Sequence, residues 1–126
     1  MSIADKYNTG KGMRFVAQLP DQVVYMSLND IARKYKSTDV FIINAMYINT
    51  KSKFGNAPVI LCGGVLVNLP QHLLTVVQTM LNDDDVINVV NNGGFGFSFY
   101  SYQVGNNIYN SVNWVDITQN TRITRL

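Results

Sequence analysis

The apolar positions of the chain follow two alternating periods. Residues 39–49, "DVFIINAMYIN", are rich in β-branched and aromatic side chains and bounded by polar ones, which predicts a strand. The basic stretch "TKSKFGNA" after it reads as a hairpin loop, and "PVILCGGVLVNL" (58–69) predicts the next strand. Gly63 and Gly64 in its middle predict a bulge or sharp bend, as where a small barrel turns a corner. Over 69–82, "LPQHLLTVVQTMLN", the period changes. Leu73, Val76, Val77, Met80 and Leu81 recur at helical spacing, and Pro70 suits a first turn. "DDDVINVVNN" (83–92) predicts a second short helix, with aspartates at its positive N-terminus and "NNGG" stopping it. "FGFSFYSYQV" (95–104) alternates as a strand, "GNN" is a turn, and "IYNSVNWVDI" (108–117) completes a second hairpin.

Upstream, "MRFVAQL" predicts a first strand ended at Pro20–Asp21, with "QVVYMS" continuing it. Ser27 followed by Asp30 is a capping-box-like start for one or two helical turns in "SLNDIARKYK". Residues 1–12 read as a flexible arm, 13–118 as one domain and 119–126, "QNTRITRL", as a short polar and basic tail. The order is strand, strand, strand, helix, strand, strand. It predicts a mainly β fold, a five-stranded OB barrel with one helical segment between strands 3 and 4.

"GGFGFSFY" (93–100) approaches the RNP1 signature of RNA-recognition domains, with Gly93 where a basic residue belongs. "VFIINA" (40–45) resembles RNP2. That fold needs a helix directly after RNP2, whereas here a strand follows. The stretch is therefore expected to be the fourth barrel strand, with Phe95, Phe97 and Phe99 toward the core and Ser98, Tyr100 and Tyr102 on the other face. A bulge at Gly96 would reverse that parity.

Composition narrows the chemistry. No apolar run approaches the length of a membrane helix, and the first residues lack a signal-peptide core, so the expectation is a soluble, unexported protein with no membrane partner. The single cysteine, Cys62, lies in an apolar run and reads as a buried small hydrophobe. His72 is the only histidine, too few for a usual zinc site. His72 and the aspartates at 83–85 read as structural, and no Walker loop is present. No enzyme and no cofactor are expected.

Net charge is +2, but residues 1–53 hold eight of the ten Lys/Arg and residues 54–121 hold none. This asymmetry fits either a patch for phosphates or ordinary solubilising charge. Single-strand binders combine such a patch with aromatics that stack on bases. The candidates for nucleic-acid contact are Tyr47, Lys51, Lys53, Phe54, Tyr100, Tyr102 and Trp114, with Lys34, Lys36 and Arg33 extending a phosphate track or solvating a helix face. Trp114 and each tyrosine have a second reading as residues at the edge of the core.

The run from "INTKSKFGNAPVI" through "VNLPQHLL" and "GFGFSFY" to "VNWVDI", about residues 47–117, resembles small single-stranded DNA-binding proteins of phages that infect lactic acid bacteria and related Gram-positive hosts. The resemblance implies an OB-fold protein coating single-stranded DNA with little sequence preference during phage replication or recombination, in the cytoplasm of the infected host. It implies a homo-oligomer, dimer or tetramer, and phage recombination or replication proteins as further partners. Bacterial single-strand binders usually end in an acidic recruiting tail. The basic ending here argues against recruitment of that kind, and leaves its arginines for DNA or a neighbouring subunit. Two alternatives remain: an RNA-binding module, and a non-catalytic structural or protein-interaction β-barrel.

Overall fold

The computed structural model describes residues 14–51, 53 and 55–126. The arm expected over 1–12 and the candidate Phe54 lie outside the described residues. Among the described residues seven strands form two sheets. The first holds β1 (Val24–Ser27), β3 (Ala45–Asn49), β4 (Ala57–Cys62) and β5 (Val65–Asn68), in the order β1-β5-β4-β3. The second holds β2 (Phe41–Ile42), β6 (Phe95–Val104) and β7 (Asn107–Asp116), in the order β2-β6-β7. Helix α1 (Leu28–Lys34) follows β1. A one-turn 3-10 helix (Gln71–Leu73), α2 (Leu74–Leu81) and α3 (Asp84–Asn91) lie between β5 and β6. The protein is β-rich as expected, but the described residues form two sheets and three α-helices in place of five strands and one helical segment, and among them the sheets do not close into a barrel.

Two differences account for most of the extra strands. The run 39–49 is not one strand. The Ile43 amide donates to the Phe95 carbonyl in the second sheet, and the next amide, Asn44, donates to the Leu61 carbonyl in the first. The chain thus changes sheets between two consecutive residues, while Phe41, Ile43, Ala45 and Met46 all stay buried. Similarly, 58–69 is a hairpin rather than a bent strand. Cys62 pairs directly with Val65, and Gly63 and Gly64 form the two-residue turn between them, both at positive φ (56° and 90°). Positive φ at both central residues is the mark of a type I′ turn, which matches strand twist and favours glycine, asparagine or aspartate there.

Other expectations hold. Ser27 Oγ accepts from the Asp30 amide and the Asp30 carboxylate accepts from the Ser27 amide, so the capping box starts α1 as read. Asp83 caps α3 by accepting from the Asp85 amide. Residues 14–19 of the expected first strand form no strand; β1 comes from the second half of that region and runs parallel to β5.

Ten unbroken cross-strand pairs join β6 to β7, from Phe95↔Asp116 to Val104↔Asn107, so no bulge reverses the parity. Phe97 and Phe99 are buried beside Val112, and Phe97 packs on Phe41 with ring centroids 5.2 Å apart. Phe95 is only half-buried and stacks on Trp114. Gly96 is where β2 crosses β6. A Cβ there would lie 2.4 Å from the Phe41 carbonyl oxygen, which explains the glycine in the RNP1-like stretch by packing alone.

The tail returns to the body. The Thr124 amide donates to the Val40 carbonyl (2.8 Å) and its hydroxyl donates to Asp39, while Ile123 forms a parallel bridge with Val40. Arg122 and Arg125 remain exposed. Among the described residues no helix is long and apolar enough to cross a membrane.

Candidate nucleic-acid interface

β2 pairs with β6 only at Gly96 and Phe97, so the outer half of the β6–β7 ribbon projects without a third strand among the described residues. On one face of this ribbon Tyr102 sits opposite Tyr109, rings stacked at 28° with centroids 5.7 Å apart. Tyr100 continues the row 6.0 Å from Tyr102. These separations are those of favourable aromatic pairs. Tyr100 and Tyr109 are 39% and 45% exposed, which leaves the ladder open to solvent. Residues 86–115 contain no charged side chain, so the surface is apolar and polar but neutral. A row of accessible π-faces accepts any base, because every base has one.

The one-turn helix ties this ladder to the basic loop. Gln71 Nε2 donates to the Asn56 carbonyl at the end of the loop (3.1 Å), and His72 Nε2 lies 3.1 Å from Ser111 Oγ. Ser111 is the cross-strand partner of Tyr100. Lys51 and Lys53 are exposed on that loop, and the Lys51 amide donates to Asn49 Oδ1, shaping its first turn. One helical turn thus contacts both the residue that ends the basic loop and the strand partner of Tyr100.

The other candidates are placed elsewhere. Tyr47 is half-buried on β3 opposite Val59, in the other sheet, and burial raises its hydroxyl's pKa. Trp114 is cross-strand from Phe97, on the ribbon face that carries the core, and its ring stacks on Phe95 at 5.8 Å. Lys34 ends α1 with its ammonium 5.7 Å from the Tyr35 ring centroid. Arg33 is engaged by Asp30 at 2.5 Å, and Lys36 is exposed just beyond the helix. Arg14 pairs with Asp84 and donates to the Leu81 carbonyl, anchoring the described N-terminal stretch to α2 and α3.

Sequence reasoning missed Tyr109. The signal was the turn. Gly105–Asn106 is a two-residue connection with Gly105 at φ 62°, which sets Tyr109 opposite Tyr102. A three-residue "GNN" turn would have put it out of register.

A groove of about 480 Å³ opens at the end of the ladder. Its walls are Asn29 and its neighbours at the start of α1, Asn68 through His72 after β5, and Tyr102, Ile108, Tyr109 and Asn110 on the ribbon. Asn110 accepts from the Ser101 hydroxyl and donates to Asn29 Oδ1, both at 2.6 Å.

The His72–Ser111 contact joins a base to a hydroxyl, as nucleophilic catalysis requires, but Ser111 is 2% exposed and closed to substrate. Cys62 is buried as expected, and burial pushes its thiol pKa well above the ordinary range, which keeps it protonated and unreactive. Among the described residues no three His, Cys, Asp or Glu come together as a metal site.

No family model, curated protein or solved structure matches this chain. The likeness to phage single-strand binders rests on the motifs quoted above.

Proposed function

We propose that this protein binds single-stranded DNA with little sequence preference, and does so without catalysis or cofactor. Bases stack on the Tyr100–Tyr102–Tyr109 ladder while Lys51 and Lys53 neutralise the phosphates that pass the adjoining loop. The observation that carries this reading is the ladder itself: three accessible rings in one row, on a neutral ribbon, linked by a single helical turn to a basic loop. In keeping with the motif resemblance, its setting is phage replication or recombination in the host cytoplasm, alongside the proteins of those processes.

The pairing pattern supports an open OB-type arrangement. The run β2–β3 acts as one bent first strand shared by both sheets, followed by β4, β5, the helical segment, β6 and β7. β1 and α1 occupy the side where β5 and β7 would otherwise approach each other. The outer edge of β7 has no strand beside it among the described residues, and beyond the stretch that α1 meets at Asn110 it carries no charge until Asp116, the kind of edge that pairs with another chain. This favours a homo-oligomer, dimer or tetramer, and gives the protein-interaction reading its own observation.

Gel shift with oligo-dT at low salt tests the function directly, with RNA of matching sequence at equal salt as the second arm. A complex that weakens steeply with salt is expected. Failure to shift oligo-dT would sink the proposal, and a clear preference for RNA would replace DNA as the ligand.

A further inference from the structure

We infer that the surface formed by the end of α2 and by α3 is a docking site for an extended Arg–Phe segment, and that its partner is a second copy of this chain. Residues 14–16 of each copy seat on the other. The inference concerns the homo-oligomer favoured above and is independent of DNA binding. Within one chain the segment is held as a bound peptide is held, by side chains rather than by strand pairing. The Arg14 guanidinium pairs with Asp84 at the start of α3 and donates to the Leu81 carbonyl at the end of α2. Asn91, at the end of α3, grips the backbone on both sides of Phe15. Its side-chain oxygen accepts from the Val16 amide (2.9 Å) and its nitrogen donates to the Arg14 carbonyl (3.0 Å). A backbone amide only donates and a carbonyl only accepts, so the orientation of Asn91 is fixed. Phe15 itself is buried in the core.

The link from this anchor to β1 is left largely uncovered. Residues 17–23 form neither strand nor helix before β1 begins at Val24. Pro20 at their centre restricts Leu19 to extended backbone. Val16, Leu19, Val23, Val24 and Tyr25 are all exposed, the first two at 77% and 51%. Large apolar side chains uncovered along one short run mark an interaction surface. Arm exchange covers them by geometry. In a two-fold dimer with exchanged arms the two links pass each other at the axis, so the same apolar row lies on both sides of the contact. Seven residues reach about 25 Å at full extension, enough to cross to an adjoining copy. The docking contacts are the same in either copy, and Asp21 is the one charge on the link.

Charge reversal tests the exchange. Arg14→Asp and Asp84→Arg each place like charges at the dock, whether the arm folds back or crosses over. The pair lies at the surface, so neither substitution empties a core position. The two variants are mixed in urea, refolded together at equal concentration and weighed by native mass spectrometry, which separates them by mass. Only a dimer with one copy of each restores opposite charges, and it does so at both docks. Two ion pairs in place of two like-charge contacts correspond to about a tenfold excess of that mixed dimer over its statistical share. The chain carrying both substitutions should dimerise like wild type, and failure there overturns the dock as drawn. Monomers alone, in the wild type or in the mixture, would overturn the exchange. Dimers in statistical proportion would also overturn it and leave the β7 edge as the contact between copies. A gel shift of the wild type with oligo-dT succeeds or fails separately from each of these results.

Discussion

Tyr102 and Tyr109 face each other across β6 and β7 as a directly opposed pair, their rings nearly parallel at 28° and 5.7 Å apart. Neither ring is needed to fill the core, which lies on the other face with Phe97, Phe99 and Val112. Exposed aromatic area of this kind, held by register rather than by burial, is open to a ligand.

Replacing Tyr109 by Ala is therefore expected to leave the fold intact and to weaken binding of oligo-dT. The loss should be roughly 1–3 kcal/mol, the contribution of one stacked base. Fluorescence anisotropy with labelled oligo-dT, alongside a thermal melt, separates the two effects. Tyr102→Ala should cost about as much, and the double variant should cost less than the sum because the rings touch.

On the proposed reading, Lys51 and Lys53 act through phosphate charge. On a single strand, each replacement by Ala should lower the slope of log affinity against log salt by about 0.7 for every phosphate that is no longer neutralised. Lys34→Ala, at the end of α1 and beside Tyr35, should change the slope little. Titrations of wild type and variants at several salt concentrations check both statements. A slope unchanged by the loop variants would remove these lysines from the interface.

Gly96→Ala places a Cβ 2.4 Å from the Phe41 carbonyl oxygen and 2.8 Å from Ile117 Cδ1. Backbone cannot yield as a flexible side chain does, so β2 must separate from β6. A destabilisation of roughly 1–3 kcal/mol is expected from overpacking of this kind, read from the midpoint of urea unfolding. The same substitution at Gly94 meets Val89 Cγ1 at 3.1 Å, a side-chain contact with more room to adjust.

Asp30 makes stability depend on acid. Its pKa is held below the ordinary carboxylate range first by the Ser27 backbone amide, then by the Ser27 hydroxyl and by Arg33. A folded-state pKa below the unfolded value means that the contribution is complete above the unfolded pKa of about 3.9 and is lost as pH falls through the folded value. Melting curves of wild type and Asp30→Asn should differ at neutral pH and converge in strong acid. A difference that persists unchanged at the lowest pH would show that the carboxylate charge is not what stabilises α1.

Cys62 should resist alkylation in the native state and react once urea unfolds the chain, because the buried thiol is kept protonated. Rapid labelling under native conditions would contradict its place in the core.

Much of this was legible in the residues. The capping pair Ser27–Asp30 and the Asp83 cap are local chemistry, and local chemistry is written in adjacent positions. The separation of phenylalanines from tyrosines on 95–102 needed only strand parity. The split at Ile43–Asn44 was hidden because the residues on both sides are apolar and β-prone, and only the partners of two successive amides distinguish one strand from two. The Gly63–Gly64 hairpin was hidden for a related reason. Apolar flanks make a turn look like a bulge until Cys62 is known to pair with Val65. The groove lay further out of reach. Asn29 and Asn110 are 81 positions apart, and their meeting depends on where α1 settles against the ribbon.

The crossing at Ile43 and Asn44 also governs how the molecule comes apart. Neighbouring peptide units serve different sheets, so neither sheet can release its bent strand without straining the bond that holds the other. Their two amides act as a rivet between the sheets. Hydrogen exchange at both should be slow and should speed up together, at the free energy of global unfolding, while the outer end of the ribbon exchanges by its own smaller openings. The surface offered to a ligand can then flex without loosening the joint that supports it.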